Sequence, residues 1–448
     1  MTENLRTTDK VVNERAKFAV EYHAHGFAHL RSCYNNKYWV RSSESENWIV
    51  ATAKDPVEDK TIWNCSLFKI NASDDGNTVK FVHVHGKTVG RRDIAPDREM
   101  YLCLEPLATT EAVSTVVDYG SIVILPQYVA FKDSDGVYLN TGPSKIVPYF
   151  SSNDVGETGN AYEIFTTRDS HIYLKNHATG HGSYWGALFY DPSDESIRIM
   201  PEKTVICDKE YNEVDGDPTD TNLLFSVYRV DKNIVSLRHL YTKNFMVIHK
   251  WMPGWNFLMT NSDTITSDCR LQVVEPVLAR ELNVFEFHSD RARIYDRRPL
   301  TLAEGAVNNP TDKEQEYTLQ FTYTKSTTST WSTSKSWTVS TKLTITSGVP
   351  FIEAGSIEIG GELSKHYDMG EAVEESEQVQ SSFTVKVPSN KRATVTAMAT
   401  RGTCDVPYSY DQVDHMPNGD VKRTIMSDGV YTGVNAYFFD YNVSYQPL

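Results

Sequence analysis

Alternation over residues 337–364 constrains this chain more than any other feature. The odd positions carry Trp337, Val339, Thr341, Leu343, Ile345, Ser347, Val349 and Phe351, and the even ones Thr338, Ser340, Lys342, Thr344, Thr346, Gly348 and Pro350. Successive side chains of a strand point to opposite faces, so one face is mostly apolar and the other polar. The pattern resumes with Ile357, Ile359 and Leu363 against Glu358, Gly360, Glu362 and Ser364. Two such arms predict an amphipathic hairpin, each comparable to the ~9–11 residues of a tilted membrane β-strand. Its turn would fall near Val349, Pro350, Phe351 and Ile352. An exposed turn is normally polar, so apolar residues there require a partner or a membrane. Small hydroxyls suit a pore lumen and the alternate apolar residues suit lipid, although an ordinary two-faced sheet alternates in the same way.

Length and charge narrow the setting. A chain of 448 residues accommodates about three domains. Aromatic and Ser/Thr-rich alternating runs recur while helix-period patterns are scarce, which predicts an all-β chain. The net charge of −15, from 44 basic and 59 acidic residues, argues against nucleic acid as the main partner. It also disfavours unaided adsorption to anionic lipid, so a membrane role calls for a receptor. No apolar run approaches the ~18 residues of a membrane helix, and residues 1–17 lack the apolar core of a secretory signal. A cytoplasmic or nuclear address is therefore expected. The cysteines, at 33, 65, 103, 207, 269 and 404, have no CxxC spacing and are expected to be reduced.

A repeated unit appears from Lys17 onward. The stretch 27–69 alternates through Tyr38-Trp39 and Trp48 to Leu67-Phe68, and 79–105 forms a second unit. LPQYVAFKDSDGVYLN (125–140), HIYLKNHATGHGSYWGA (171–187) and NIVSLRHLYTKNFMVIHK (233–250) then repeat a strand–turn–strand, with Tyr184-Trp185 standing where Tyr38-Trp39 stood. Three such units are what a β-trefoil requires.

HLRSCYNNKYWVRSSESENWIVATAKDPVEDKTIWNCSLFK (29–69) resembles the amaranthin-type agglutinin domain of plant lectins, and LPQYVAFKDSDGVYLN and LRHLYTKNF resemble parts of its second copy. The resemblance implies two tandem β-trefoils that bind galactose/GalNAc-type glycans or glycoproteins, with the site between the first domain of one subunit and the second of another. Residues 1–15 stand where the family has a whole repeat, so the first trefoil is expected to lack its opening third. The implied sugar loop is Ser45, Glu46, Asn47 and Trp48, with Asn47 in place of the family's aromatic. An indole stacks on the apolar face of a galactose-type ring, and an amide serves hydroxyls as donor and acceptor. Trp39 is a further candidate, although it and Trp48 could equally be core residues.

The trefoil rhythm breaks at 277–310. Strands are expected at 281–296, 315–330, 374–400 and 421–446 around the hairpin. WSTSKSWTVSTKLTITSGVPFIEAG, the acidic return EAVEESEQVQ and the turn VKVPSNKRATV resemble the aerolysin-type β-pore-forming module. The expected architecture is a frayed 1–15, an incomplete trefoil at 16–118, a trefoil at 119–276, and an elongated antiparallel β-domain at 277–448. The resemblance implies assembly of a homo-oligomer whose hairpins close one barrel, as lipid leaves no open strand edge satisfied. Val339, Leu343, Ile345, Ile357, Ile359 and Leu363 would face lipid, with Val349, Phe351 and Ile352 towards the tip.

Catalytic motifs are missing: the sequence has no HExxH, GxSxG, Walker loop or GxGxxG, and GSIEIGG (355–361) lies in the hairpin rather than before a helix. No enzyme activity, cofactor or metal is expected. The pairs His83/His85 and His23/His25 have metal-compatible spacing but no evident further ligand. Glu371, Glu374, Glu375 and Glu377 read as a solvated strand face, with an acid trigger as the alternative. Two function classes follow. One is a glycan-directed pore former in plant defence or stress, membrane-associated once assembled. The other is a soluble cytosolic lectin-like interaction protein whose aerolysin-type module only mediates oligomerisation.

Overall fold

A computed structural model of the chain describes all residues except 1–12, 75–77, 95–98, 108–109, 112, 143–146, 158, 177–182, 189–202, 210–216, 253–254, 334–340, 346–347, 361–364 and 418. The described residues form β-strands joined by short 3-10 turns. They divide into two compact units, one running through Ala279 together with Asp414–Lys422 and the other built from Arg280 onward.

The first unit holds two related barrels, of which the second is complete. Strands Tyr128–Lys132, Tyr162–Thr166, Ile172–Asn176, Phe225–Asp231, Ile234–His239 and Leu271–Val274 pair in that order, and the last returns to the first. The ring is therefore closed. Three hairpins are attached to it: Tyr138–Asn140 with Tyr149–Ser152, Tyr184–Ala187 with Val205–Lys209, and Phe245–Met252 with Trp255–Ser262. Each ring strand sends two alternate side chains inward, namely Val129/Phe131, Tyr162/Ile164, Ile172/Leu174, Phe225/Val227, Val235/Leu237 and Leu271/Val273. Trp185 lies among them, its ring 4.8 Å from Tyr162 and 5.7 Å from Phe131.

The first barrel repeats this order but stops short. Phe18–His23, Phe27–Ser32, Leu67–Ala72, Thr78–His83 and Ser114–Thr115 pair in sequence, with hairpins Tyr38–Arg41/Ile49–Ala53 and Val89–Ile94/Glu99–Leu104. Matched against the closed ring, the missing elements among the described residues are one ring strand and one hairpin, those that would open the first unit. Phe18–His23 and Ser114–Thr115 are left as edges. Apolar side chains stand exposed there, with Val20 at 41% and Tyr22 at 85%. The core persists around Trp39, which meets Phe18, Phe81 and Phe68 at 5.0, 5.6 and 6.1 Å.

The second unit consists of long strands: Arg293–Asn309, Gln315–Ser332, Ala372–Val387, Lys391–His415 and Val421–Pro447. Gln315–Ser332 pairs with Ala372–Val387 along almost its whole length, from Gln315↔Val387 to Thr330↔Ala372. The turn expected at 388–391 is observed, with Asn390 in the left-handed region at φ 55°. Alternate residues Ala393, Val395, Ala397 and Ala399 are buried, as the run ATVTAMA requires. A second core gathers aromatics around Trp331, whose ring lies 4.6 Å from Tyr431, 5.4 Å from Tyr367 and 5.5 Å from Tyr408. The described cysteines form no disulfide, and no described helix is long and apolar enough to cross a membrane.

Candidate functional site

Two places carry the functional candidates. The first is the loop between Tyr38–Arg41 and Ile49–Ala53. Arg41 braces it from one side, donating from Nη2 to the Glu44 carbonyl at 2.8 Å and from Nε to the Glu46 carbonyl at 3.3 Å. Ser43 Oγ accepts from the Glu46 amide at 3.2 Å, and Ser42 Oγ donates to the Glu46 carboxylate at 3.1 Å. The other end is tied to the neighbouring hairpin. Asn47 accepts from the Leu104 amide through its carbonyl (2.7 Å) and from Lys87 Nζ through Oδ1 (3.3 Å). Trp48 bridges to Cys103 and meets Tyr101 edge-on at 6.3 Å.

Ser45 and Glu46 are exposed, while Asn47 and Trp48 are half-buried. The loop thus offers a fixed, half-exposed indole beside an amide and an ammonium. Such a set can stack on a sugar ring and serve its hydroxyls. Trp39 does not belong to it. Only 4% of that residue is exposed, and its indole packs against Phe18, Phe68 and Phe81. Its counterpart Trp185 is likewise buried.

The closed barrel holds an aromatic group that sequence reading passed over. Trp255, 50% exposed, stacks on Tyr149 at 5.7 Å with an interplanar angle of 14°. Trp251 stands nearby, 37% exposed and edge-on to Phe257. The signal was the pair of tryptophans in WMPGW (251–255), a composition unsuited to a solvated turn.

The second place is the amphipathic segment. Thr341–Ile345 pairs in parallel with Ala279–Phe287, setting Leu343 beside Leu282 and Ile345 beside Val284. On its other side it pairs antiparallel with Lys365–Asp368. Farther in, Pro350–Glu353 and Ser356–Ile359 form their own small hairpin. Leu343, Ile345 and Ile352 are buried in the Trp331 core, and Val349 and Ile357 pack against it. Asn435 holds the inner hairpin by accepting from the Ile352 amide at 2.9 Å and donating to its carbonyl at 2.8 Å.

Two expectations for this segment are corrected. The turn is not at Val349–Ile352 but at Ala354–Gly355, both left-handed (φ 47° and 82°), the geometry of a tight two-residue hairpin turn. Residues Pro350–Ile352 are strand instead. Nor does one unbroken alternation run through the segment. Ile345 pairs with Lys365 and Pro350 with Ile359, in two separate sheets. The buried parity changes from one strand to the next. Leu343 and Ile345 are buried at odd positions, Ile352 at an even one, and Phe351 lies opposite Glu358 on the other face. Ile359 is 43% exposed. Val339 and Leu363 lie outside the described residues.

The remaining candidates resolve simply. His83 is buried, and its Nε2 donates to the Cys65 carbonyl at 2.9 Å, while His85 Nε2 donates to the Lys60 carbonyl at 2.9 Å. Burial lowers the His83 pKa to about 4, so it is neutral in the fold. His25 is exposed in a 3-10 turn. Glu371, Glu374, Glu375 and Glu377 are exposed.

The family model of the agglutinin domain matches residues 5–125, and that of the aerolysin toxin matches 261–416. The chain joins an agglutinin domain to an aerolysin-type module. The agglutinin match contains the open barrel and the 42–48 loop, and the aerolysin match contains the amphipathic segment. The closed barrel falls mostly between the two matches, and it shares its pairing order with the open barrel. No curated protein matches the chain. Among solved structures, the lamprey immune protein is similar at 13% identity over 83% of this chain and 87% of that one, TM-score 0.30. The aerolysin-like protein of Bombina maxima is similar at 13% identity over 37% and 99%, TM-score 0.26. Parasporin-2 of Bacillus thuringiensis is similar at 21% identity over 38% and 74%, TM-score 0.22.

Proposed function

We propose that the chain is a glycan-directed pore former. Its agglutinin domain binds galactose/GalNAc-type glycans through Ser45, Glu46, Asn47 and Trp48, and its aerolysin-type module assembles into a ring that inserts the 341–368 segment into a membrane. The observation that carries this reading is where the segment sits. It links Gln315–Ser332 and Ala372–Val387, two strands already paired with each other. Release of the segment would lengthen an existing antiparallel ladder rather than require a new one. Its own pairings are short, and Leu343, Ile345 and Ile352 are sheltered by the Trp331 core, as an apolar face awaiting lipid must be in water.

Closing the lengthened hairpins of several copies into one barrel would satisfy every strand edge in the bilayer. The glycan site supplies the attraction that a chain of net charge −15 does not obtain from an anionic surface. The ring of six strands with three hairpins reads as a β-trefoil, and the open barrel as the same fold without its first unit among the described residues. Dye release from liposomes with and without displayed galactose/GalNAc glycans tests the proposal. Glycan-dependent release that falls on Trp48→Ala supports it. Glycan binding with no release would instead favour a soluble lectin whose second module serves oligomerisation alone.

A further inference from the structure

The sequence pairs His23 with His25, but the fold brings His23 to other residues. His23 ends the edge strand of the open barrel, His29 lies on the strand beside it, and Glu58 lies in the 54–66 connection. One ligand atom from each lies within 4.8 Å of the others. His23 Nδ1 is 3.5 Å from Glu58 Oε1.

His29 gives the group its character. Only 4% of the residue is exposed. Its Nδ1 lies 3.2 Å from the Ser66 carbonyl, which can only accept, and 2.8 Å from Ser66 Oγ. The Ser66 hydroxyl can give its hydrogen to the Val57 carbonyl at 3.2 Å and so accept from the ring. In the tautomer that satisfies both contacts, Nδ1 carries the hydrogen and Nε2 the lone pair. That Nε2 is buried with no hydrogen-bond partner among the described residues, which is costly for a desolvated acceptor. A ring held through Nδ1–H on a carbonyl, with Nε2 free, is how ligating histidines are commonly oriented.

We propose that His23, His29 and Glu58 form a Zn2+ site, with a fourth position open to solvent. Two imidazoles and one carboxylate suit zinc, whereas Ca2+ and Mg2+ demand oxygen ligands throughout. Bonds of about 2.0–2.1 Å place two tetrahedral ligand atoms roughly 3.3 Å apart. The His23 and Glu58 side chains, 30% and 61% exposed, have room to close on the fixed His29 ring. The ion would fasten the edge strand Phe18–His23 to the 54–66 connection, on the barrel that is open among the described residues.

The test titrates Zn2+ into the chelator-treated full-length chain by calorimetry and repeats the titration with Co2+, followed by visible absorption. One equivalent is expected to bind. His23→Ala and Glu58→Gln, both at exposed side chains, should each weaken binding at least about tenfold, since even an outer-shell loss has that effect. Both should abolish the Co2+ bands, whereas His85→Ala and Cys33→Ser should leave affinity unchanged. Absence of stoichiometric uptake, uptake that survives His23→Ala and Glu58→Gln, or uptake lost with Cys33→Ser would each overturn the assignment.

Discussion

The two barrels of the first unit are built from one repeating strand–hairpin–strand unit, yet one is closed and the other is open. The closed barrel receives a pair of inward side chains from each of six strands and seals Trp185 completely. The open barrel, short of a strand and a hairpin among the described residues, still buries Trp39. The lesson is that the core of such a barrel is local. Trp39 is enclosed by Phe18, Phe68 and Phe81 from the units present, and the missing unit costs mainly the edge, where Val20 and Tyr22 face water.

The largest expected effect tests that locality. Trp185→Ala and Trp39→Ala should each cost about 3–5 kcal/mol in denaturant unfolding, with Trp39→Ala toward the lower end because an open barrel can collapse around the cavity. A cost under about 1 kcal/mol for Trp39→Ala would show that the open barrel has no firm core.

Next in size is a device the barrels share. His83 and His239 occupy equivalent strand ends. Each donates Nε2–H to a carbonyl, of Cys65 and Asn222, at 2.9 Å, and each ring lies 5.1 Å from a phenylalanine. Burial lowers both pKa values, that of His83 to about 4. The unfolded chain therefore binds protons that the fold refuses, for His83 between roughly pH 6.5 and 4. Stability from both groups is complete above about pH 6.5 and falls as pH drops below it, for His83 by on the order of 2–3 kcal/mol through that window. His83→Gln, which keeps a donor, should flatten the slope of stability against pH in the open barrel, and an unchanged slope would deny His83 that role.

The smallest effect belongs to the edge. Tyr22→Lys should change stability by no more than about 0.5 kcal/mol. In hydrogen exchange, amides of Phe18–His23 should exchange well before those of Tyr128–Lys132, which is paired on both sides in the closed ring. Equal protection of the two strands would mean that the open edge is covered in solution.

How much of this was legible in the sequence depended on whether the signal was local. The strand–turn units, the Pro388–Lys391 turn and the correspondence of Tyr38-Trp39 with Tyr184-Trp185 are written in adjacent residues, and sequence reading found them. It could not settle which face of a strand is buried, so Trp39, read first as a core residue, was also kept as a sugar-stacking candidate. The hairpin turn was misplaced because the apolar run Val349–Ile352 drew attention away from Ala354-Gly355. The change of buried parity between Ile345 and Ile352 was hidden because alternation on each arm separately looked regular. Leu343 illustrates the consequence. It is fully buried in the Trp331 core, so a charge there would disturb folding before any membrane was met. The His23, His29 and Glu58 group was out of reach, since only the fold brings a residue of the 54–66 connection to the first strand.

Ile359 offers the most direct test of the central claim, because it is 43% exposed in the folded chain and a charge there is tolerated in water. On a lipid-facing strand, Arg costs about 2–4 kcal/mol at the bilayer midplane. The measurement is dye release from liposomes displaying galactose/GalNAc glycans, by the parent chain and by Ile359→Arg, with glycan binding and unfolding followed in parallel. The account predicts unchanged binding and stability with release reduced tenfold or more, about the factor that 1.4 kcal/mol or greater implies. Release by Ile359→Arg at the parent's rate would contradict the membrane role of the segment.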